Sequence, residues 1–408
     1  MTSKNKPNKV RIVFDAAASY SGISLNSQLL TGPDMLQNSV GILLRFRQED
    51  IGLASDIEEM FHQVAVKQQD QPAISFLWRD MDGERAPDVY QMDRIIFGAR
   101  SSPASAAFVL RRTAEDSTAG SQADRDAVGT SFYADDFVRS EPTVSAAVER
   151  VKAVTSIVRG GGFRLTKWLS SSREVLEHVP ASERAASVKT LTEELPTENV
   201  LGVVWDTHQD SIGLQARLLE VPPTKRGILQ QVASIYDPLG LATPFLLVAK
   251  VIVQRLWSLH LDWDEPVAGD ELELWKKWKM ELEKLQELRV PRCYVSGRSP
   301  AVERQLHVFG DASEAAFGSV AYLRTKSANG KITCTLVMSR TRVAPLRKLS
   351  IVRLELQAAV LAVRLADTAT RELSLPIRVV LKRVKILELE NVEVLPRGSV
   401  TGYEKTLL

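Results

Sequence analysis

The alternation of apolar and polar residues predicts helices and strands in mixed order along the first half of the chain. The stretch KVRIVF, residues 9–14, predicts a short strand, and glycines with Pro33 indicate loops to about residue 35. IGLAS predicts a second strand that ends at Asp56. The apolar residues that follow are spaced as in a helix: Ile57, Met60, Phe61 and Val64. Asp56 is therefore expected at a corner between a strand and a helix.

The next segments predict hairpins and helices that suit one layered domain. ISFLWRD and DVYQMDRIIFG flank a turn-rich segment, as in a hairpin, and SSPASAAFVLRRTAED predicts a helix with Ser102 as cap and Pro103 at its first position. SFYADDFVRS predicts a second hairpin with Asp135 and Asp136 at its tip. TVSAAVERVKAVTSIVRGGG predicts an amphipathic helix, and FRLTKWLSSS and VLGVVWD predict strands. This order predicts an α+β fold, with an antiparallel sheet backed by helices.

The second half divides into segments of different character. Residues 207–300 have helical periodicity and are expected to be mostly helical. Strands return near residue 304 and suggest a three-stranded meander, followed by a strong helix in RLELQAAVLAVRLADTATREL. We therefore expect domains at 1–206, 207–300 and 301–377, with a divergent tail at 378–408.

Composition and charge narrow the class of protein. The 408 residues are 44% hydrophobic and 25% charged, which is ordinary for a globular chain, and the net charge of +2 excludes a strongly basic nucleic-acid coat protein. An enzyme that gathers its basic residues in a channel is not excluded. Two cysteines are too few for a disulfide framework, and no apolar run approaches the roughly 18 residues of a membrane span. No membrane association is expected, and the location is expected to be cytoplasmic, with nuclear entry left open.

Three aspartates are the main candidates for chemistry. Adjacent carboxylates repel each other, and a hard divalent cation such as Mg²⁺ relieves that repulsion while binding oxygen ligands. Asp135 and Asp136 at a hairpin tip, with Asp56 at a neighbouring strand end, form the carboxylate set of a two-metal site for phosphoryl transfer. The alternative is a solvated Asp–Asp turn, with Asp56 as a helix cap.

The ordered motifs resemble the reverse transcriptase of long-terminal-repeat retrotransposons, most closely the BEL/Pao group. The similarity runs collinearly from about residue 10 to residue 371. The segments that carry it are RIVFDAAASYSGISLNSQLLTGPDMLQNSVGILLRFR, ASDIEEMFHQVAV, FGARSSPASAAFVLRR, FYADDFV, GGFRLTKW, LGVVWD and TKRGILQQVASIYDPLGLATPF. The resemblance implies fingers and palm in residues 1–206, a helical thumb and connection in 207–300, and a ribonuclease H-like fragment in 301–377.

The resemblance also implies roles for individual residues. Asp56 and Asp135 would bind two Mg²⁺ ions, for which Mn²⁺ could substitute, with Asp136 beside them. The residues implied at the nucleotide are Arg11 on the triphosphate, Phe61 against the ribose 2′-hydroxyl, Phe97 and Gly98 at the base and sugar, and Lys167 as a general acid. The primer-grip motif implies Leu201, Gly202 and Trp205. Ala134 departs from the bulkier residue common at its position.

The ribonuclease H-like segment is incomplete. Asp311, at the end of its first strand, and Glu355, in its first helix, match that domain. Where a third carboxylate should end a strand, the sequence IRVVLKRVKILELENVEVLPRGSV has basic residues and no matching aspartate. Nuclease activity is therefore expected to be lost, and the absence of Asp-Thr-Gly and Asp-Ser-Gly motifs gives no support for a peptidase.

The expected function is RNA-directed DNA synthesis on an RNA or DNA template-primer with deoxynucleoside triphosphates. Association with other products of the retroelement polyprotein, in a setting of DNA integration, is also expected. A decayed retroelement fragment that binds nucleic acid without catalysis, and a host protein adapted from such an element, are the alternatives left open.

Overall fold

The computed structural model describes residues 2–3, 6–10, 13–191, 194–295 and 301–383. Its α-helices are α1 (Leu25–Gln28), α2 (Ser39–Phe46), α3 (Ser102–Asp116), α4 (Gln122–Ser131), α5 (Val144–Gly160), α6 (Arg173–Glu177), α7 (Lys225–Ala233), α8 (Thr243–Ser258), α9 (Gly269–Glu281) and α10 (Ile351–Glu372). Single-turn or short 3₁₀ helices lie at Met60–Gln63, Gln68–Ile74, Ala186–Val188 and Leu282–Glu287. Within these residues, no helix combines the length and apolar character needed to cross a lipid bilayer.

The strands form three four-stranded sheets and two hairpins within the described residues. They are β1 (Thr2–Ser3), β2 (Lys6–Val10), β3 (Ile51–Ile57), β4 (Ser75–Trp78), β5 (Asp88–Gln91), β6 (Phe132–Tyr133), β7 (Asp136–Glu141), β8 (Leu165–Ser170), β9 (Thr197–Val200), β10 (Val203–Asp206), β11 (Ser211–Leu214), β12 (Arg289–Pro291), β13 (Ala301–Ala312), β14 (Ala316–Ser327), β15 (Ile332–Val343) and β16 (Arg378–Arg383). The sheet orders are β6-β7-β3-β8, β12-β11-β10-β9 and β15-β14-β13-β16, and the hairpins are β1-β2 and β4-β5.

The first sheet is antiparallel and carries helices α3, α4 and α5 on one face. The predicted hairpin at residues 131–140 is confirmed by the pairing of β6 with β7. Helix α5 begins at Thr143, whose side chain accepts a hydrogen bond from the amide of Ala146. Its apolar residues pack with fully buried Phe137 of β7 in one core. This packing holds the hairpin tip at the edge of a rigid layer, as the α+β prediction requires.

Four local predictions in the first half of the chain differ from the structure in detail. Asp56 lies inside β3 rather than at a corner, because β3 is paired by β7 on one side and β8 on the other, and the helix expected after it is one 3₁₀ turn. Ser102 is the first residue of α3 rather than its cap, and its hydroxyl donates to the carbonyl oxygen of Ile96. Of the strand expected at residues 9–14, the structure shows the part up to Val10 in β2, residues 13 and 14 lie outside a strand, and residues 11 and 12 lie outside the described residues. Ser131, the first residue of the expected hairpin SFYADDFVRS, belongs to α4.

The second sheet crosses a predicted boundary. VLGVVWD forms a hairpin, β9–β10, rather than one strand, and β10 then pairs with β11 just five residues further on. Strand β12 completes the sheet from residues 289–291. The boundary expected between residues 206 and 207 therefore falls inside a sheet, and the segment expected to be mostly helical contributes two strands in addition to α7, α8 and α9.

The third sheet confirms the predicted meander and extends it. Strands β13, β14 and β15 are paired antiparallel, and α10 packs across them. Residues 378–383, expected to belong to a divergent tail, form β16, which pairs in parallel with β13. A parallel partner requires a crossover, and α10 provides it. The rest of that tail, residues 384–408, lies outside the described residues.

Two buried arginines join the three sheets. Arg292 is fully buried, and its guanidinium holds Asp210 with two bonds of 2.6 and 2.7 Å while donating to the carbonyl oxygen of Phe46. Arg47 is also fully buried and donates to the carbonyl oxygens of Arg292 and Val337 at 3.1 and 3.2 Å. Burial lowers the pKa of Arg47. Arg292 also donates to the carbonyl oxygen of Asp50, the residue before β3, at 2.7 Å, so the bonds of the two arginines connect segments in or next to all three sheets.

Candidate active site

The tip of the β6–β7 hairpin is a strained two-residue turn. Tyr133 pairs with Asp136, so Ala134 and Asp135 form the turn. Ala134 has φ of +52°, in the left-handed region that costs a residue with a β-carbon about 1–2 kcal/mol. The amide of Ile57 donates to the carbonyl oxygen of Asp135 at 2.9 Å and ties the turn to β3. Such strain persists where the surrounding structure enforces it, and it is common at functional sites.

The structure brings the three predicted aspartates together. Asp56 and Asp136 are direct neighbours across β3 and β7. Asp135 is exposed at the tip, whereas Asp56 and Asp136 are partly buried. Burial raises the pKa of Asp136 to about 6, and the negative charges of Asp135 and then Asp56 add to this effect. Three carboxylates therefore create a local excess of negative charge.

Lys167, which lies in a bulge of β8, offsets part of that negative charge. Between its pairs with Ala54 and Asp56, strand β3 advances two residues while β8 advances three, from Leu169 back to Thr166. Lys167 occupies this bulge with φ of +58°. Its Nζ lies 2.5 Å from Oδ2 of Asp56, and its charge lowers the pKa of Asp136. The bulge thus directs the lysine at the aspartates.

The donor chemistry of this site suits Mg²⁺ or Mn²⁺. Carboxylate oxygens are the preferred ligands of hard divalent cations, and a cation here would relieve the repulsion that raises the pKa of Asp136. Over the described ranges, no three His, Cys, Asp or Glu side chains are arranged closely enough to hold a metal ion. One oxygen of Asp56 is engaged by Lys167. Asp56 would therefore exchange its lysine partner for an ion.

The predicted nucleotide-contacting residues form a second cluster. The rings of Phe61 and Phe97 lie 4.7 Å apart between centroids, and both are partly exposed. Gly98 has φ of +103°, and a β-carbon there would lie 2.1 Å from the carbonyl oxygen of Phe14. Only glycine fits this close approach. Arg11 lies outside the described residues.

The primer-grip residues divide into a turn and a core residue. Leu201 and Gly202 both have positive φ, +47° and +82°, as a type I′ hairpin turn requires, and a β-carbon on Gly202 would collide with the ring of Tyr236. Trp205 is completely buried and packs edge-on against Phe46. A direct primer contact by Trp205 is therefore wrong, because its side chain supports the sheet from within.

The ribonuclease H-like residues lie on the third sheet and its helix. Asp311 is buried on β13, and Glu355 is partly buried in the first turns of α10. The backbone register pairs Gly310 with Arg383 at the end of β16, next to Asp311. The residues after Arg383, where the third carboxylate was expected, lie outside the described residues.

Sequence reasoning missed a group on α7 and α8. Lys225, the first residue of α7, is buried against the rings of Trp257 and Trp263. Trp257 lies at the end of α8 and Trp263 five residues beyond that helix, and each is about two-fifths exposed. The sequence signal that could have indicated this group is a pair of tryptophans that follows the apolar run of α8, since exposed aromatic side chains often mark a binding surface.

Comparisons with known proteins support a retroelement origin. Residues 224–382 match the family model of the Pao retrotransposon-like RNaseH-like domain. A foamy viral protease-reverse transcriptase dRH in complex with ds DNA has the same fold, with a TM-score of 0.57 and 17% identity over 91% of this chain and 56% of that chain. The foamy viral protein in complex with dsDNA gives a TM-score of 0.52 and 18% identity over 86% and 63%.

The same viral protein in complex with RNA/DNA hybrid gives a TM-score of 0.51 and 17% identity over 85% of this chain and 40% of that chain. The chain thus spans between 40% and 63% of the length of these structures. No curated protein matches it. The family match supports a retroelement RNaseH-like domain at residues 224–382, and the structures show that the chain shares the fold of foamy viral protease-reverse transcriptases.

Proposed function

We propose that the protein is the RNA-directed DNA polymerase of a BEL/Pao-type retrotransposon, which extends a primer with deoxynucleotides on an RNA or DNA template. The observation that carries the proposal is the convergence of Asp56, Asp135 and Asp136 at one end of the paired strands β3 and β7, where burial, and then repulsion from Asp135 and Asp56, raises the pKa of Asp136 to about 6. A carboxylate set of this kind suits phosphoryl transfer. In this reading β3, β7 and α5 belong to the palm, and α7 and α8 to the thumb.

The chain's residues would act by positioning and by charge. Bound divalent cations would neutralise the triphosphate and favour attack of the primer 3′-hydroxyl on the α-phosphate, with pyrophosphate leaving. Asp56 and Asp135 would hold them, and the ladder of β3 with β7 fixes the spacing of the two strands that carry the carboxylates. Asp136 would keep the site electronegative. Such catalysis needs preorganised geometry rather than a covalent intermediate.

Neighbouring residues fit supporting roles. Phe61, packed on Phe97, would present a ring edge to the sugar of the incoming nucleotide, and Gly98 would admit its base. Lys167, once released from Asp56, carries a proton that it could donate to the leaving pyrophosphate. Association of this protein with other products of the retroelement polyprotein is part of the same proposal.

A second candidate function is nucleic-acid binding without catalysis. It is favoured by the lysine that engages Asp56. The sequence of residues 377–400 has no aspartate, which supports the proposal that the ribonuclease H-like region does not cleave RNA, because two-metal hydrolysis needs carboxylates around both ions.

Primer extension separates the two candidates. The full chain should extend oligo(dT) on poly(rA) with Mg²⁺ or Mn²⁺, and the matched variant Asp135→Asn, an exposed and nearly isosteric change, should abolish extension. Absence of extension by the unmodified protein, where an intact reverse transcriptase is active, would refute the polymerase. Template-primer binding that persists in both proteins without extension would support the binding-only candidate.

A further inference from the structure

A second candidate site lies far along the chain from the aspartates, between α7, α8 and β15. A groove of about 520 Å³ opens here, with a floor of apolar side chains such as Val253 and Val343. Lys250 of α8 and Arg342 of β15 contribute exposed cations to its walls. Of the described residues that line the groove, none is acidic. The groove therefore presents positive charge beside apolar surface.

Tryptophan rings form one end of the groove. Trp257 lines it directly and is 43% exposed, and Trp263, 41% exposed, meets it edge-to-face with centroids 5.3 Å apart. The guanidinium of Arg226 lies 5.4 Å from the centre of the Trp263 ring and is also paired with Asp264. Exposed indole faces next to cations are a stacking platform for bases.

Lys225 adds a buried positive charge behind the rings. Only 5% of this residue is exposed, and its Nζ lies 4.4 Å from the centre of the Trp257 ring. Within the described residues, its ammonium makes ring contacts but no ion pair or hydrogen bond. A buried charge without a counter-ion is costly, so an anionic ligand would stabilise it.

We propose that this tryptophan groove, lined by Lys250, Trp257 and Arg342 and supported by the contacts of Lys225 and Trp263 with the Trp257 ring, binds single-stranded nucleic acid. Phosphates lie along the cations, and at least one base stacks on the exposed indole of Trp257. The proposal goes beyond polymerase activity, because the groove shares no residue with the aspartate hairpin. The groove would bind nucleic acid whether or not the protein catalyses DNA synthesis. An acidic peptide would neutralise the same cations but would leave the indole face without a stacking partner.

Binding to short oligonucleotides tests the groove in the full chain. The anisotropy of a fluorescein-labelled oligo(dT) of about 12 nucleotides, in chelator, gives the affinity. Trp257→Ala should weaken it by about 5- to 100-fold, and Trp257→Phe should retain most of it, because stacking needs an aromatic face. An abasic oligomer of the same length should bind both variants alike. Equal oligo(dT) affinity in Trp257→Ala and the unmodified protein would overturn the proposal.

Charge reversals supply the matched controls. Lys250→Glu and Arg342→Glu should each weaken binding and lower its salt dependence, whereas Lys331→Glu, an equal change of charge on an exposed residue outside the groove, should not. Displacement of oligo(dT) by polyglutamate as effectively as by unlabelled oligo(dT) would assign the groove to acidic peptides instead. Oligo(dT) affinity in chelator and primer extension with Mg²⁺ are measured separately on the groove variants, so failure of the polymerase and failure of the groove are distinguishable.

The variant Lys225→Met distinguishes a role of Lys225 in binding from a role in the stability of the fold. Replacing an unpaired buried ammonium by an apolar chain of similar length should leave the unfolding midpoint unchanged or raised, while oligonucleotide binding weakens severalfold. A large fall in the midpoint with unchanged binding would show that the lysine serves the fold alone.

Discussion

The charge of Asp136 is expected to destabilise the folded protein. Its pKa is raised from 3.8 to about 6, chiefly by burial and then by the charges of Asp135 and Asp56. At about 1.4 kcal/mol per pKa unit, this difference corresponds to at most about 3 kcal/mol. Asp136→Asn removes the charge and nearly preserves the shape of the side chain. The variant should therefore be more stable than the unmodified protein at neutral pH.

The sign and the pH window follow from linkage. Between pH 4 and 6 the folded state binds the proton of Asp136 while the unfolded state has released it, so stability falls as pH rises through this window. Below pH 4 both states are protonated, and the penalty is absent. Above pH 6 the penalty is complete and constant. The stability gained by Asp136→Asn should thus grow from near zero at pH 4 to about 3 kcal/mol at pH 7.

Urea unfolding in chelator, at several pH values from 4 to 7.5, measures this gain. Asp93→Asn, which removes the carboxylate of a side chain that is 73% exposed, is the matched control and should give no pH-dependent difference. A parallel pH dependence of Asp136→Asn and the unmodified protein would refute the reasoning. Added Mn²⁺ should stabilise the unmodified protein more than the variant, because fewer carboxylates remain to share the ion.

Three further changes test other parts of the structure. Arg292→Met removes both guanidinium bonds to Asp210, which keeps only its bond from the indole N–H of Trp205 among the described residues, and should lower the free energy of unfolding by about 3–5 kcal/mol in urea titrations; a loss under about 1 kcal/mol would show that this link carries little stability. Lys167→Met frees Asp56 and should tighten Mn²⁺ binding in electron paramagnetic resonance titrations, whereas weaker binding would contradict the exchange of lysine for metal. Gly98→Ala drives a β-carbon into a backbone carbonyl and should lower the melting temperature by several degrees, and an unchanged value would contradict the contact.

The local sequence pattern was sufficient to predict helices and hairpins that are determined by neighbouring residues in the chain. Helix α5 and helix α10 follow a helical apolar repeat, and the sequence predicts both helices to within a few residues. The β4–β5 hairpin has its turn residues between two β-rich runs, and its pairing was also expected. The acidic pair of the β6–β7 tip could also be recognised, because two charges beside a buried strand violate the pattern around them. The ordered motifs then predicted that Asp56 belongs with that pair.

Other features depended on contacts between distant segments. Nothing near Arg47 or Arg292 in sequence indicates burial, since an arginine is normally exposed and becomes buried only when carbonyls and a carboxylate from other elements surround it. Trp205 matched a surface motif, yet packing against Phe46 placed it in the core. The domain boundary expected at residue 206 falls within a sheet, because the last strand of that sheet comes from residues 289–291, far along the chain.

The sequence by itself determined which carboxylates this protein has for chemistry and in what order they follow one another. Only the tertiary structure decided how they are arranged. Pairing of β3 with β7 places Asp56 beside Asp136, and a bulge in β8 brings Lys167 to the carboxylate of Asp56. The reason is physical. Burial and like-charge repulsion act over a few ångströms in space, and chain order does not specify which side chains come within that distance.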